Sequence, residues 1–141
     1  ALGSLTAASA DGRRSREPLT NGHTASNGME RNGITALLNS MVKLNPALHA
    51  GATHNLKFSP DMFTKHRAAL EALLQTYFES GGTQAMITTL NGHDLRATME
   101  HPEQYAHLIV RVGGFSARFV DLPPETQREI VQRTLWGESQ W

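Results

Sequence analysis

The residues with the most chemical content lie in one run, Val110-Arg111-Val112-Gly113-Gly114-Phe115-Ser116-Ala117-Arg118-Phe119. Two glycines stand between two apolar extended pieces. The plain expectation is a tight turn, because glycine enters φ > 0 at little steric cost. The pair does not read as a dinucleotide site: the chain has no Gly-x-Gly-x-x-Gly, and no helix follows the glycines. Seven histidines (His23, His49, His54, His66, His93, His101 and His107) raise the question of a metal. None forms an i,i+4 or His-x-His pair and no cysteine can assist, so they read as scattered surface or core residues. His49 and His54 read as packing and hydrogen-bonding residues. Arg13, Arg14 and Arg16 are interleaved with Asp11 and Glu17, which fits a solvated or subunit-facing loop better than a phosphate site. Arg111 and Arg118 flank the glycines. They read either as ion-pair partners of another chain or as groups that position the loop. A Ser-His-Asp arrangement cannot be argued from order along the chain.

Composition narrows the possibilities. The chain has 141 residues and 15.5 kDa, one domain's worth. Thirteen Lys and Arg balance thirteen Asp and Glu, which argues against an electrostatic footprint for nucleic acid or an anionic membrane. No apolar run approaches the roughly 18 residues of a membrane span. Ala1 to Ala10 lack the charged start and apolar stretch of a signal peptide. The absence of cysteine removes disulfides, thiolate metal sites and a cysteine nucleophile from this chain.

The elements that must position the glycines follow from pattern. Residues 1–33, rich in Gly, Ser, Thr, Asn and Arg, read as a tail or as a segment lying against protein outside this chain. The start at Ala1 fits a processed terminus or a fragment. Residues 33–44 have helical spacing at Ile34, Leu37, Leu38, Met41 and Leu44, with Asn32 as cap. A short strand is expected at Asn55–Phe58. A long helix is expected from Ser59-Pro60, with Ser59 as N-cap, Pro60 at N1 and a stripe of Phe63, Leu70, Leu73, Leu74, Tyr77 and Phe78. Gly81-Gly82 ends it. Gln84–Leu90 reads as a strand, Asp94–Glu100 as a short helix, and Pro102 as the start of another helical turn. Leu108–Val112 reads as a buried strand, Ala117–Leu122 as a second extended piece, and Glu125–Leu135 as a last helix with Ile130 and Val131 inward. Phe63, Tyr77, Phe78 and Phe119 read as core.

These blocks together resemble the C-terminal region of glycyl radical enzymes, the pyruvate formate-lyase-like family. Arg111-Val112-Gly113-Gly114-Phe115 is similar to the family's Arg-Val-x-Gly-[Tyr/Phe]. Gln127-Arg128-Glu129-Ile130-Val131-Gln132-Arg133-Thr134 resembles its final helix. Pro102-Glu103-Gln104-Tyr105 and Gly81-Gly82-Thr83-Gln84 resemble the approaches to its strands. Asp11-Gly12-Arg13-Arg14, Pro18-Leu19, Asn21-Gly22, Gly28 and Asn32-Gly33 with Thr35-Ala36 resemble its Asp-Gly-Arg segment. The order is the family's, over nearly the whole chain. Arg16 stands where the family often has Gly, Thr24-Ala25 where it often has Ser-Pro, and Phe115 where Tyr is commoner.

The resemblance implies an α/β fold, the C-terminal portion of a ten-stranded α/β barrel with the glycine loop inserted into its centre. It implies four stretches: residues 1–33 extended and packed on a partner, 34–107 with helices and one strand, 108–122 around the loop, and 123–141 as C-terminal helix and tail. It implies that Gly114 stores a glycyl radical installed by a radical-SAM, iron–sulfur activating enzyme, with no other cofactor or metal bound. Arg111, Val112, Gly113, Phe115, Ser116 and Ala117 would form the radical loop. The family passes its radical to a cysteine that precedes the Asp-Gly-Arg segment, so the implied partner is a larger cysteine-bearing chain acting on a small-molecule substrate. The implied protein is a subunit or fragment of a lyase- or transferase-class enzyme of an anaerobic or microoxic cytoplasm. The alternative is a stand-alone radical carrier that repairs an oxygen-cleaved enzyme. Thr83, Gln84, Met86 and Thr88 are the residues of this chain that could reach a substrate pocket.

Overall fold

A parallel strand pair needs a crossover and apolar cover, and the middle of the chain supplies both. The computed structural model describes residues 3–20, 22–26, 29–45, 48, 52–112 and 114–132. Strand β1 (Thr53–Phe58) pairs in parallel with β2 (Gln84–Thr89), in register from Thr53 opposite Gln84 to Phe58 opposite Thr89. Helix α1 (Gly33–Met41) precedes β1. The crossover from β1 to β2 carries α2 (Asp61–Thr64) and α3 (Arg67–Glu79). Ile34, Leu37 and Leu38 of α1 meet Leu56 and Phe58 of β1, Met62 of α2, and Leu70 and Tyr77 of α3 in one buried cluster.

The second cluster belongs to the chain after β2. Helix α4 (Gly92–Glu100) leads through turns to β3 (Ile109–Arg111), which pairs antiparallel with β4 (Ser116–Arg118). A 3-10 turn at Phe119–Asp121 and α5 (Pro124–Gln132) follow. Leu90, Leu95, Val110, Phe119 and Ile130 are buried together. The Leu90 N–H donates to the Phe58 carbonyl at 3.1 Å, so the end of β1 is a junction between the clusters. The described residues hold four strands in two separate sheets, an α/β arrangement that closes no barrel by itself. No helix among them is long and apolar enough to cross a membrane.

Several expectations need correction. Ser59 is not a cap: its hydroxyl is buried without a hydrogen-bond partner among the described residues, and Pro60 precedes a single turn of helix. The long helix is broken because the amides of both Lys65 and His66 turn back to the Asp61 carbonyl, and α3 starts afresh at Arg67. Phe63 and Phe78 lie on outer faces rather than in the core, being 40% and 48% exposed. Asn32 makes no side-chain capping bond. The run at Leu108–Val112 is not a buried strand: Val110 is inward, but its neighbour Ile109, on the alternate face, is 61% exposed. The expected extended piece Ala117–Leu122 becomes β4 and a tight 3-10 turn. His49, Gly113 and Leu135 lie outside the described residues.

The N-terminal segment, though exposed, is not without structure. Arg13 donates to the Ala7 carbonyl, to the Arg14 carbonyl at 3.1 Å and to the Glu17 carbonyl at 2.9 Å, drawing the loop around one guanidinium. The Asp11 carboxyl lies below its ordinary value, chiefly because the Ser9 hydroxyl donates to it. Further on, the His23 N–H bonds the Thr53 carbonyl at 3.0 Å, and buried His54 gives its Nδ1 hydrogen to the His23 carbonyl. A carbonyl only accepts, so that bond fixes the Nδ1–H tautomer.

Two outcomes follow from this packing. At Gly82 a Cβ would stand 2.3 Å from the Tyr77 ring, which is buried and tied by its hydroxyl to the Gln84 carbonyl at 3.1 Å. Gly82→Ala should therefore lose about 1–3 kcal/mol of stability in denaturant unfolding, partly regained with Tyr77→Leu. Burial holds the His54 pKa below its ordinary 6.5, outweighing the bond to His23. The unfolded chain then binds more protons below that value, so stability is full above pH 6.5 and falls as pH drops below it. Unfolding midpoints measured between pH 5 and 7.5 should show this slope, and His54→Gln should flatten it.

Candidate functional site: the glycine hairpin

The hairpin is built from three paired positions: Ile109 with Arg118, Val110 with Ala117, and Arg111 with Ser116. The Val112 N–H then donates to the Phe115 carbonyl at 2.9 Å, which places Gly114 in the tight connection between the strands. Tight hairpin connections favour positive φ, which glycine supplies without a Cβ penalty. Gly114 has φ +84°, and nothing lies within 4 Å of where its Cβ would stand. Gly114 and Phe115 are exposed at the tip, Phe115 by 56%. The α-carbon of Gly114 is therefore both open to a visiting protein and held by a backbone shape only glycine adopts readily.

Sequence reasoning placed Arg111, Val112, Phe115, Ser116 and Ala117 around Gly114, and the hairpin brings all five together. The Arg111 Nη1 donates to the Ser116 hydroxyl at 3.2 Å, across the paired strands and next to the tip. This bond favours loop positioning for Arg111. Arg118 instead pairs with Asp121 of its own chain at 2.8 Å, so that guanidinium is engaged without a second chain. The base of the hairpin is fixed from behind: the Phe119 N–H donates to the Leu108 carbonyl at 2.8 Å, and the Gln127 amide donates to the Phe119 carbonyl at 2.9 Å. Sequence reasoning had Gln127 within a motif but saw no clamp in it, because the bond spans eight residues with no local signature.

A crevice of about 410 Å³ separates β2 from the hairpin, lined by Met86, Thr88, Ile109 and Arg111 among others. Met86 and Thr88 thus lie beside the crevice next to the hairpin. Thr83 and Gln84 do not. They stitch the start of the parallel pair, Thr83 through the Ala52 backbone at 3.3 Å and Gln84 through the Thr53 hydroxyl at 2.8 Å. The described residues contain no group of three or more His, Asp and Glu able to hold a metal ion.

With this geometry in view, comparison with known proteins is decisive. The family described as "Glycine radical" matches residues 19–120, well over half of the chain. The chain belongs to that family. Among relatives of the glycine radical domain, the "Probable dehydratase YbiW" of Escherichia coli is 35% identical over 137 residues, covering 94% of this chain and 17% of that protein. The indoleacetate decarboxylase of Tractidigestivibacter scatoligenes is 34% identical over 135 residues, covering 94% of this chain and 15% of that protein. A crystal structure of a glycyl radical enzyme from Archaeoglobus fulgidus superposes with a TM-score of 0.83 at 38% identity, covering 93% of this chain and 17% of that one. This glycine radical domain thus spans about a sixth of the length of the proteins it matches.

Gly114→Ala should remain folded. The new methyl meets no neighbour, and its cost is that of a positive φ, about 1–2 kcal/mol. Thermal unfolding of the variant checks this, and a much larger loss would mean that the tip is packed.

Proposed function

We propose that this chain is the radical-bearing part of a glycyl radical enzyme and that Gly114 stores the radical. The observation that carries the reading is the position of Gly114 at the open tip of a braced hairpin, in the sequence context Arg111-Val112-Gly113-Gly114-Phe115. Loss of one α-hydrogen leaves an unpaired electron between an amide nitrogen and a carbonyl. Both stabilise it when the unit flattens, and a Cβ would crowd that planar form. Arg111, Val112, Gly113, Phe115, Ser116 and Ala117 form the loop around it. The Arg111–Ser116 bond and the paired strands limit how far the tip can wander.

The hydrogen atom would be removed by a radical-SAM activating enzyme, the partner that the exposed tip must admit. This chain has no cysteine, so the thiol that takes the radical onward belongs to a cysteine-bearing chain or portion outside it. That larger part would complete the ten-stranded barrel, surround the glycine loop, and cover the exposed segment of residues 1–33. Its substrate is a small molecule and its chemistry is of the lyase, dehydratase or decarboxylase kind. The relatives include a dehydratase and a decarboxylase at nearly equal identity, which supports placing the choice of reaction mostly outside this domain. A stand-alone repair carrier would need only the last part of the chain. Likeness over 94% of it favours an integral part of the enzyme. An oxygen-sensitive backbone radical fits an anaerobic cytoplasm.

Oxygen provides the test. A carbon-centred backbone radical adds oxygen and the chain breaks there, so the activated protein, exposed to air, should yield two fragments meeting at Gly114 by mass spectrometry. The unactivated protein and Gly114→Ala should stay whole. An activated wild-type chain that carries the radical and survives air intact would remove Gly114 from this role.

A further inference from the structure

Lys57 stands between Leu56 and Phe58 on β1 and is only 6% exposed. An ammonium group taken from water is costly unless it is well hydrogen-bonded. Its Nζ donates to the Ile130 carbonyl at 3.1 Å, a contact between residues 73 apart in the chain. That carbonyl belongs to α5. Leu56 and Phe58 belong to the first buried cluster and Ile130 to the second, so this bond ties the two clusters together.

From α5 the path to the glycine tip is continuous. Gln127, one turn before Ile130, clamps the Phe119 carbonyl, and the Phe119 N–H holds Leu108 at the foot of β3. The paired strands carry the connection to Val112 and Phe115, whose bond closes the tip. Val110, Phe119 and Ile130 share one core, so movement of α5 moves the hairpin.

We propose that Lys57 is a positioning residue for the glycine loop: its ammonium holds α5, and through α5 and the hairpin it sets where the Gly114 tip stands relative to the β1–β2 pair. The purpose of that positioning rests on Gly114 as the radical store. The mechanical coupling does not. A reacting atom misplaced by even 1 Å can cost about 100-fold in rate, so a buried tie at the far end of the assembly is a means of holding the loop.

The test uses the intact enzyme, cysteine-bearing portion included, with Lys57→Met and Lys57→Arg. Lys57→Met keeps most of the side-chain volume and removes one hydrogen bond, so its thermal midpoint should fall by only a few degrees. Amide hydrogen exchange over residues 109–132 should nonetheless speed up by about tenfold, while exchange over β2 stays as in the wild type. Lys57→Arg, which keeps a long cation, should restore most of the protection. Gln127→Leu cuts the next link instead: the hairpin should loosen while α5 stays protected. Unchanged exchange over 109–132 in Lys57→Met would overturn the proposal. So would loosening spread evenly over β1, β2 and the hairpin, which would make Lys57 a general stability residue. Paramagnetic resonance on the activated wild type separates this from the reading it rests on: selective loosening with no glycine-centred signal leaves the tie standing and removes the radical.

Discussion

A tight connection between twisted antiparallel strands favours positive φ, and the apex of this domain meets that constraint with a glycine. Gly114 meets it at +84° with open space where a side chain would be. Absence of a Cβ is also what the planar α-carbon radical proposed here would need. The structural and chemical explanations of the glycine therefore do not compete. Arg111 reaches across to Ser116, and the Gln127 amide holds the Phe119 carbonyl, so the hairpin is braced at its side and at its foot.

The rest of the domain acts as a mount. A parallel pair of strands, covered by α1 and α3, forms one buried cluster, and the hairpin with α4 and α5 forms another. They meet at the end of β1, where Phe58 receives Leu90 and Lys57 reaches Ile130. Two strands make a small sheet with open edges, which is marginal in water. Exposed Ile109, Phe115 and Phe78 are apolar surfaces of the kind another part of a larger protein covers. The relatives are about six times longer than the region they share with this chain.

Much of this was legible where the signal is local. The strands around Gly113-Gly114, the α3 stripe through Leu70 and Tyr77, and the inward Ile130 follow from spacing alone. The ordered motifs identified the family, which the matched region bears out. The misreadings came from competition or from context. Ser59-Pro60 has the chemistry of a helix start, but the Asp61 carbonyl accepts both Lys65 and His66 amides and ends the turn early. Ile109 is apolar enough for a core, yet nothing in the sequence says that its face of the hairpin is left uncovered by the described residues. Lys57 carries no local signal, because a lone lysine in an alternating strand normally points to solvent. Its burial depends on α5, distant in sequence.

Residence of the unpaired electron on Gly114, rather than on its neighbour or on a tyrosine, is decided by anaerobic electron paramagnetic resonance of the activated protein, with Gly114→Ala and Gly113→Ala beside it. A radical on Gly114 gives a doublet, split by the one α-hydrogen that remains, present in the wild type and abolished in Gly114→Ala. A doublet that persists unchanged in Gly114→Ala, with that variant folded and its activase functional, would contradict it.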